Sequence, residues 1–314
     1  MSVIKDNNLC KIVLYIHMIK HVLNSPPNNI IYLTTIKCSN LDFLRKCLPD
    51  EIGTPATDKL TTIKNYKNYC PSGDCNTELD QITIGFLWLL EKYFTEYSNK
   101  GKIEKDTKPF FLYIISWLSY KLNQNTEEKF TTINDFYTKH VNDSNKYNKF
   151  KEDSNKFTGF NEFINGQKDL FNINIEDLSK FYDASKLICS MYGNVAQNQT
   201  DNILSNNVND FANQYTELNN KYNDEGSPHS KILSALTTDY NNIKEKRKDY
   251  QTLPEITEFS ALASKSGVTS SSSSIGNKLF TVLSIFGAIA FFLGISYKVN
   301  NKELKNITFK YYFH

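Results

Sequence analysis

The chain has 314 residues and a formal net charge of +2, with 40% hydrophobic and 22% charged residues. That composition supports a sizeable buried core and excludes a chain disordered throughout. A charge excess this small, with no local basic patch, argues against nucleic acid as a partner.

The polar residues are biased. There are 37 Asn and 34 Lys but 2 Arg, Arg45 and Arg247. Asn and Lys are read from A-rich codons, so the bias points to an AT-rich genome. The shortage of Arg weighs against phosphate or carboxylate recognition by guanidinium forks.

Taken in chain order, the first stretch carries no convincing secretion signal. Ile12 to Ile19 is apolar but contains His17, follows Asp6 and ends without a small-residue cleavage site. An R-x-L-x-E export signal is missing, because Cys47 and Asp249 stand two places after the two arginines. His17 and His21 have metal-pair spacing on a helix, but no third ligand is in view and no metal is expected.

The stretch from about 40 to 250 reads as an all-α ectodomain. Thr77-Glu78-Leu79-Asp80 fits a capping box and opens a helix through Ile82, Phe86, Leu89, Leu90 and Tyr93. Asp106 is the expected cap of the next helix, with Pro109 in its first turn. Phe110 to Leu118 is apolar on all sides and belongs at the centre of the core. Thr132 to Asp135 repeats the capping pattern. Asn174 caps a helix whose buried face runs Leu178, Phe181, Tyr182, Ser185, Ile188, Cys189 and Tyr192.

Two longer helices follow. Leu204, Val208, Phe211, Tyr215, Leu218 and Tyr222 alternate steps of four and three, and Leu233 to Tyr250 keeps a similar rhythm through Tyr240, Ile243 and Arg247. Asn223 to Pro228 interrupts them, which predicts an antiparallel helical hairpin. The side chains of Trp88, Phe111, Ile115, Phe181, Ile188 and Phe211 are expected to be buried together.

Beyond residue 250 the composition changes. Ser260 to Ser274 holds eight Ser in 15 residues, so residues 251–278 read as a flexible stalk. Leu279 to Tyr297 is 19 residues without a charge, bracketed by Lys278 and Lys298, the pattern of one transmembrane helix. Lys298, Lys302, Lys305 and Lys310 follow it, against the single acid Glu303. The positive-inside rule therefore places residues 298–314 in the cytosol and the large N-terminal part outside.

Nothing in the chain points to an enzyme. There is no P-loop, G-x-G-x-x-G, G-x-S-x-G or H-E-x-x-H. No cofactor or small-molecule substrate is expected. His140 reads as a surface residue, and Cys189 as a buried thiol or half of a disulfide. Asn142-Asp143-Ser144 and Asn198-Gln199-Thr200 match glycosylation acceptors, as chance allows in so Asn-rich a chain.

Several stretches carry a family resemblance. These are Leu41 to Glu51, Tyr69 to Cys75, Leu79 to Ile82, Phe86 to Leu89, Ile114 to Leu122 with its W-L-x-Y-K-L pattern, Ile133 to Tyr137, and Leu187 to Tyr192. With the Ser-rich stalk and single span, they resemble the Plasmodium interspersed repeat (PIR) proteins, the Cir/Yir/Bir variant antigens of rodent malaria parasites. The resemblance runs from about 40 to 298. It implies a multigene, variable, single-pass membrane protein of the parasite or the infected red cell. Its role would lie in antigenic variation and host–parasite interaction, with a host receptor or antibodies as partners. It makes Trp88, Trp117 and Tyr120 core residues of the family motifs. It also implies that at least two of Cys10, Cys70, Cys75 and Cys189 are disulfide-bonded, with pairing open. A membrane-anchored intracellular adaptor or trafficking component, with a cytosolic helical domain, is the competing class.

Two segments depart from the family. Joining Lys11 to Asn40 restores a family spacing from Cys10, and the tail after Lys298 begins with Val-Asn-Asn, codable as an intron start. Residues 12–39, within a short N-terminal segment 1–39, and residues 299–314 are therefore expected to be translated introns, with 12–39 packing poorly and Cys38 without a partner.

Overall fold

The computed structural model describes residues 30–99, 102–103, 108–150, 160–196, 201–246, 253–260 and 262. Their architecture is all-α apart from one small ribbon, in which Ser98–Asn99 pairs antiparallel with Lys102–Ile103. The main helices are α1 (Ile30–Cys47), α2 (Tyr66–Tyr69), α3 (Glu78–Tyr97) and α4 (Pro109–Gln124). Short helices α5 (Ile133–Phe136), α6 (Phe160–Gly166), α7 (Lys168–Phe171) and α8 (Ile175–Ser179) follow. The fold continues with α9 (Phe181–Ala196), α10 (Asp201–Tyr222) and α11 (Pro228–Lys246).

Helix α4 is the hub. It lies against α1, α3, α8, α9 and α11, and it buries every residue from Phe110 to Ser119. Its all-round apolar surface dictates that position, since each fully buried Phe or Ile contributes about 1.5–3 kcal/mol. Trp88, Phe111, Ile115, Phe181, Ile188 and Phe211 are all buried in one continuous core.

The helix starts follow their local chemistry. Thr77 Oγ1 accepts from the Asp80 amide at 3.0 Å, and the Asp80 carboxylate accepts from the Thr77 amide at 3.4 Å. Thr132 and Asp135 close the same reciprocal box at 3.1 and 3.0 Å. Asn174 accepts from the Glu176 amide at 2.8 Å, and α8 passes into α9 with a break at Lys180. Helix α4 departs from expectation: its N-cap is Lys108, with no side-chain cap, and Pro109 itself starts the helix. The Lys108 amide donates instead to the Tyr93 hydroxyl at 3.3 Å.

Helices α10 and α11 form the expected antiparallel hairpin. Phe211 stacks on Tyr240, Tyr215 bonds Thr237 through their hydroxyls at 2.9 Å, and Tyr222 stacks on His229. The partner numbers rise on one helix as they fall on the other. Arg247 and Tyr250 of the predicted seam lie outside the described residues.

The expected boundary at residue 39 is corrected. Helix α1 runs straight through it, and Lys37, Cys38, Leu41 and Leu44 are buried along one helical face. Cys38 is bonded to Cys189, against the expectation that it has no partner. Cys38-Ser39-Asn40-Leu41-Asp42-Phe43-Leu44-Arg45 satisfies, as it stands, the family spacing that had been sought from Cys10. Residues 1–29, the expected stalk from 263 to 278, the span at 279–297 and the tail lie outside the described residues. The expected start of the stalk at 251 is corrected: Phe259 is buried against Phe211, Tyr215 and Tyr240 of the hairpin, and the Tyr240 hydroxyl donates to the Pro254 carbonyl at 2.9 Å. Among the described residues no helix is long and apolar enough to cross a membrane.

Candidate functional site

The stretches resembling family motifs lie far apart in the chain and converge in space. Two of them, Leu41 to Glu51 and Ile114 to Leu122, meet with Tyr182 and Lys186 of α9 at Asp50, which follows α1. Its carboxylate takes Arg45 Nε at 2.8 Å, the Tyr182 hydroxyl at 3.0 Å and Lys186 Nζ at 3.5 Å. Lys121 Nζ donates to the Pro49 carbonyl at 2.5 Å, and the Tyr120 hydroxyl to the Asp50 carbonyl at 3.4 Å. Lys186 also lies 4.8 Å from the Tyr182 ring centroid and 5.2 Å from that of Tyr120. Burial pushes the Asp50 carboxyl upward, but Arg45, Lys186, Lys121 and the Tyr182 hydroxyl together hold it below its ordinary 3.8. Asp42, one helical turn before Arg45, has only a long ion pair to it at 3.7 Å, and burial outweighs Arg45 and Lys46 and raises its carboxyl to about 6.

Trp117 and Tyr120 thus have definite tasks. Tyr120 reaches the Asp50 loop. Trp117 is fully buried, and its ring lies against Gly85 of α3 so closely that a Cβ there would stand 2.8 Å from Cη2. Trp88 packs on Phe43 at 5.2 Å between centroids. All three serve packing rather than an exposed cage.

The cysteines divide into three kinds. Cys70 and Cys75 are joined, closing a turn in which Pro71, Ser72, Gly73 and Asp74 are all exposed. Gly73 has a φ of +73°, which a residue with a side chain rarely adopts. Cys189 pairs with Cys38, which sequence reasoning had set aside. Cys10 lies outside the described residues. Cys47 is free and buried, and burial pushes its thiol up to about 12, so it is a poor nucleophile.

A second buried cluster joins α1 to the hairpin. Lys37 Nζ lies 2.5 Å from Asp239 Oδ2, the Tyr113 hydroxyl donates to the same oxygen at 2.7 Å, and Lys37 stands 4.0 Å from the Tyr113 centroid. Burial lowers the Lys37 ammonium below its ordinary value, which the Asp239 carboxylate partly offsets. His17 and His21 lie outside the described residues, among which no group of three His, Cys, Asp or Glu could hold a metal. His140 is not a plain surface residue. Its Nε2 is 2.7 Å from Glu128, and its ring stacks on Phe136 at 5.9 Å.

The outward face is polar and irregular. Glu51 to Lys59 is exposed except for a half-buried Thr54, with Ile52 80% exposed, and Asn142 of the first glycosylation match is also exposed. What the geometry offers is a braced helical scaffold presenting loops, with the buried charges at Asp50 and Asp239 holding its elements together.

The comparisons agree with this arrangement. A family model described as Plasmodium variant antigen protein Cir/Yir/Bir matches residues 38–298. A solved structure, described as that of a Plasmodium PIR protein ectodomain, is similar at a TM-score of 0.52 and 26% identity. The match covers 71% of this chain and 98% of that one. No curated protein matches. The family match begins at Cys38, the residue that ties α1 to α9, and with it the chain is placed: it belongs to the Plasmodium Cir/Yir/Bir variant antigen family.

Proposed function

We propose that this chain is a membrane-anchored surface antigen of the parasite or the infected red cell, acting in antigenic variation and host–parasite contact. The helical body lies outside, carried by the Ser-rich stalk on the span at 279–297, with the tail in the cytosol. The observation that carries this reading is the pair of disulfides, Cys38–Cys189 and Cys70–Cys75. Such bonds persist in oxidising compartments and are rare in a cytosolic adaptor. The division between buried and exposed residues supports the same role. The Asp50 and Asp239 clusters hold one scaffold, while substitutions in Glu51 to Lys59 or Pro71 to Asp74, apart from Gly53 and Gly73 at positive φ, change the surface at little expense in stability. A host receptor or antibodies would meet those loops.

The test combines topology and thiol state. Intact infected cells are treated with protease and with a membrane-impermeant maleimide, and the chain is then denatured and labelled again. The expected result is protease digestion of the body, with Cys38, Cys70, Cys75 and Cys189 labelled only after reduction. A protected body with those four thiols free would establish the adaptor reading instead.

A further inference from the structure

The tip of the α10–α11 hairpin holds an unusual histidine. Gly226, with a φ of +79°, turns the chain, and Ser227 caps α11 by accepting from the Ser230 amide at 3.2 Å. His229 then folds back over the preceding helices. Its ring stacks on Tyr222, the last residue of α10, at 4.7 Å and 14°, and lies 6.0 Å from Phe181, the first residue of α9. The Tyr222 hydroxyl donates to Asp177 of α8 at 2.5 Å. Three elements are therefore clasped through one imidazole, whose Nε2 is buried with no hydrogen-bond partner among the described residues.

This site suits the neutral ring and not the charged one. An imidazolium carries N–H on both nitrogens, so Nε2 would become a buried, charged and unpaired donor. Position adds to the penalty, because the first turn of a helix already presents positive potential. The Tyr222 face offers little relief, since Lys221 Nζ already stands 4.8 Å from that ring centroid. Asp177 and Asp224 favour the charge, but the Asp177 carboxylate is shared among Tyr222, Lys180 and Lys221. Burial, with Lys221 acting in the same sense, outweighs the two acids and sets His229 below its ordinary 6.5.

We propose that the hairpin tip is an acid-opened clasp, in which protonation of His229 frees the first turn of α11 from Tyr222 and Phe181. The unfolded or opened tip binds the proton more readily than the closed one, so closure is complete above the usual imidazole range and is lost as the pH falls below it. Asp177 does not confuse the effect, because its hydrogen bonds from Tyr222 and the two lysines hold its carboxyl far below that range.

The readout must be local, and amide hydrogen exchange of the full chain in detergent provides one. Exchange in peptides spanning residues 222–231 is compared with exchange in α4 at about pH 7.5 and about pH 5.5, after correction for intrinsic rates. The expected result is a severalfold loss of protection at the tip on acidification, with α4 unchanged. His229→Phe, which keeps the stack without the titration, should abolish that loss, as should His229→Gln. Equal tip protection at both pH values would overturn the proposal, and so would a pH-dependent loss that survives in either variant.

Discussion

Lys37 and Asp239, 202 residues apart in the chain, form an ion pair whose side chains are 3% and 5% exposed. The pair fastens α1 to α11 through the flank of α4, where Tyr113 shares the carboxylate. Removing one partner strands the other. Lys37→Met should therefore lower stability by about 3–5 kcal/mol, whereas Lys37→Met with Asp239→Leu should recover much of that loss. Denaturant unfolding of the two variants beside the parent reads the difference. A double variant no more stable than the single one would count against the pairing.

The two disulfides should differ in weight. Cys38–Cys189 closes a separation of 151 residues and Cys70–Cys75 one of 5. On chain-entropy grounds, losing the first costs about 5 kcal/mol and losing the second about 2 kcal/mol. Cys189→Ser with Cys38→Ser should accordingly shift the unfolding midpoint more than the matching pair at Cys70 and Cys75. Equal shifts would refute the ranking.

Gly85 lies where α3 meets α4. Alanine is a better helix former by about 1 kcal/mol, but here its methyl meets the rigid indole of Trp117 at 2.8 Å. Overpacking of this kind costs about 1–3 kcal/mol, so Gly85→Ala should destabilise despite its propensity. Thermal melting decides between the two effects by the sign of the change.

Asp42 predicts an opposite pH trend from the hairpin tip. Its folded carboxyl titrates at about 6 because of burial, against an ordinary value of 3.8. Between those limits the folded state binds the proton that the unfolded state has released. Stability from this group is therefore present at the acid end and is lost as the pH rises through about 6. Asp42→Asn should narrow the difference in melting temperature between about pH 4.5 and about pH 7. A variant with the parental pH profile would contradict this account.

Local signals were well read from sequence, and long-range ones were not. The boxes at Thr77–Asp80 and Thr132–Asp135 and the cap at Asn174 depend on three or four neighbouring residues. The central place of α4 follows from its apolar surface alone. The Cys38–Cys189 bond depends instead on how α1 docks against α9, which no local pattern records. Its signal was nevertheless present in the run from Cys38 to Arg45. His140 was misread for a related reason: it stands four residues after Phe136, a spacing that brings the two rings to one side of the chain. The Asp50 cluster could not be assembled from sequence, since Arg45, Tyr120, Lys121, Tyr182 and Lys186 meet only once α1, α4 and α9 are packed.

The burial of α4 has a practical consequence for immunogens. Ile114 to Leu122 is among the stretches that most clearly mark the family, yet only Tyr120 within it escapes full burial. Antibodies raised against a linear peptide from this stretch would recognise denatured protein on a blot and miss the folded molecule. Serum reactivity to such a peptide would record antibodies to the unfolded chain, not to its folded surface.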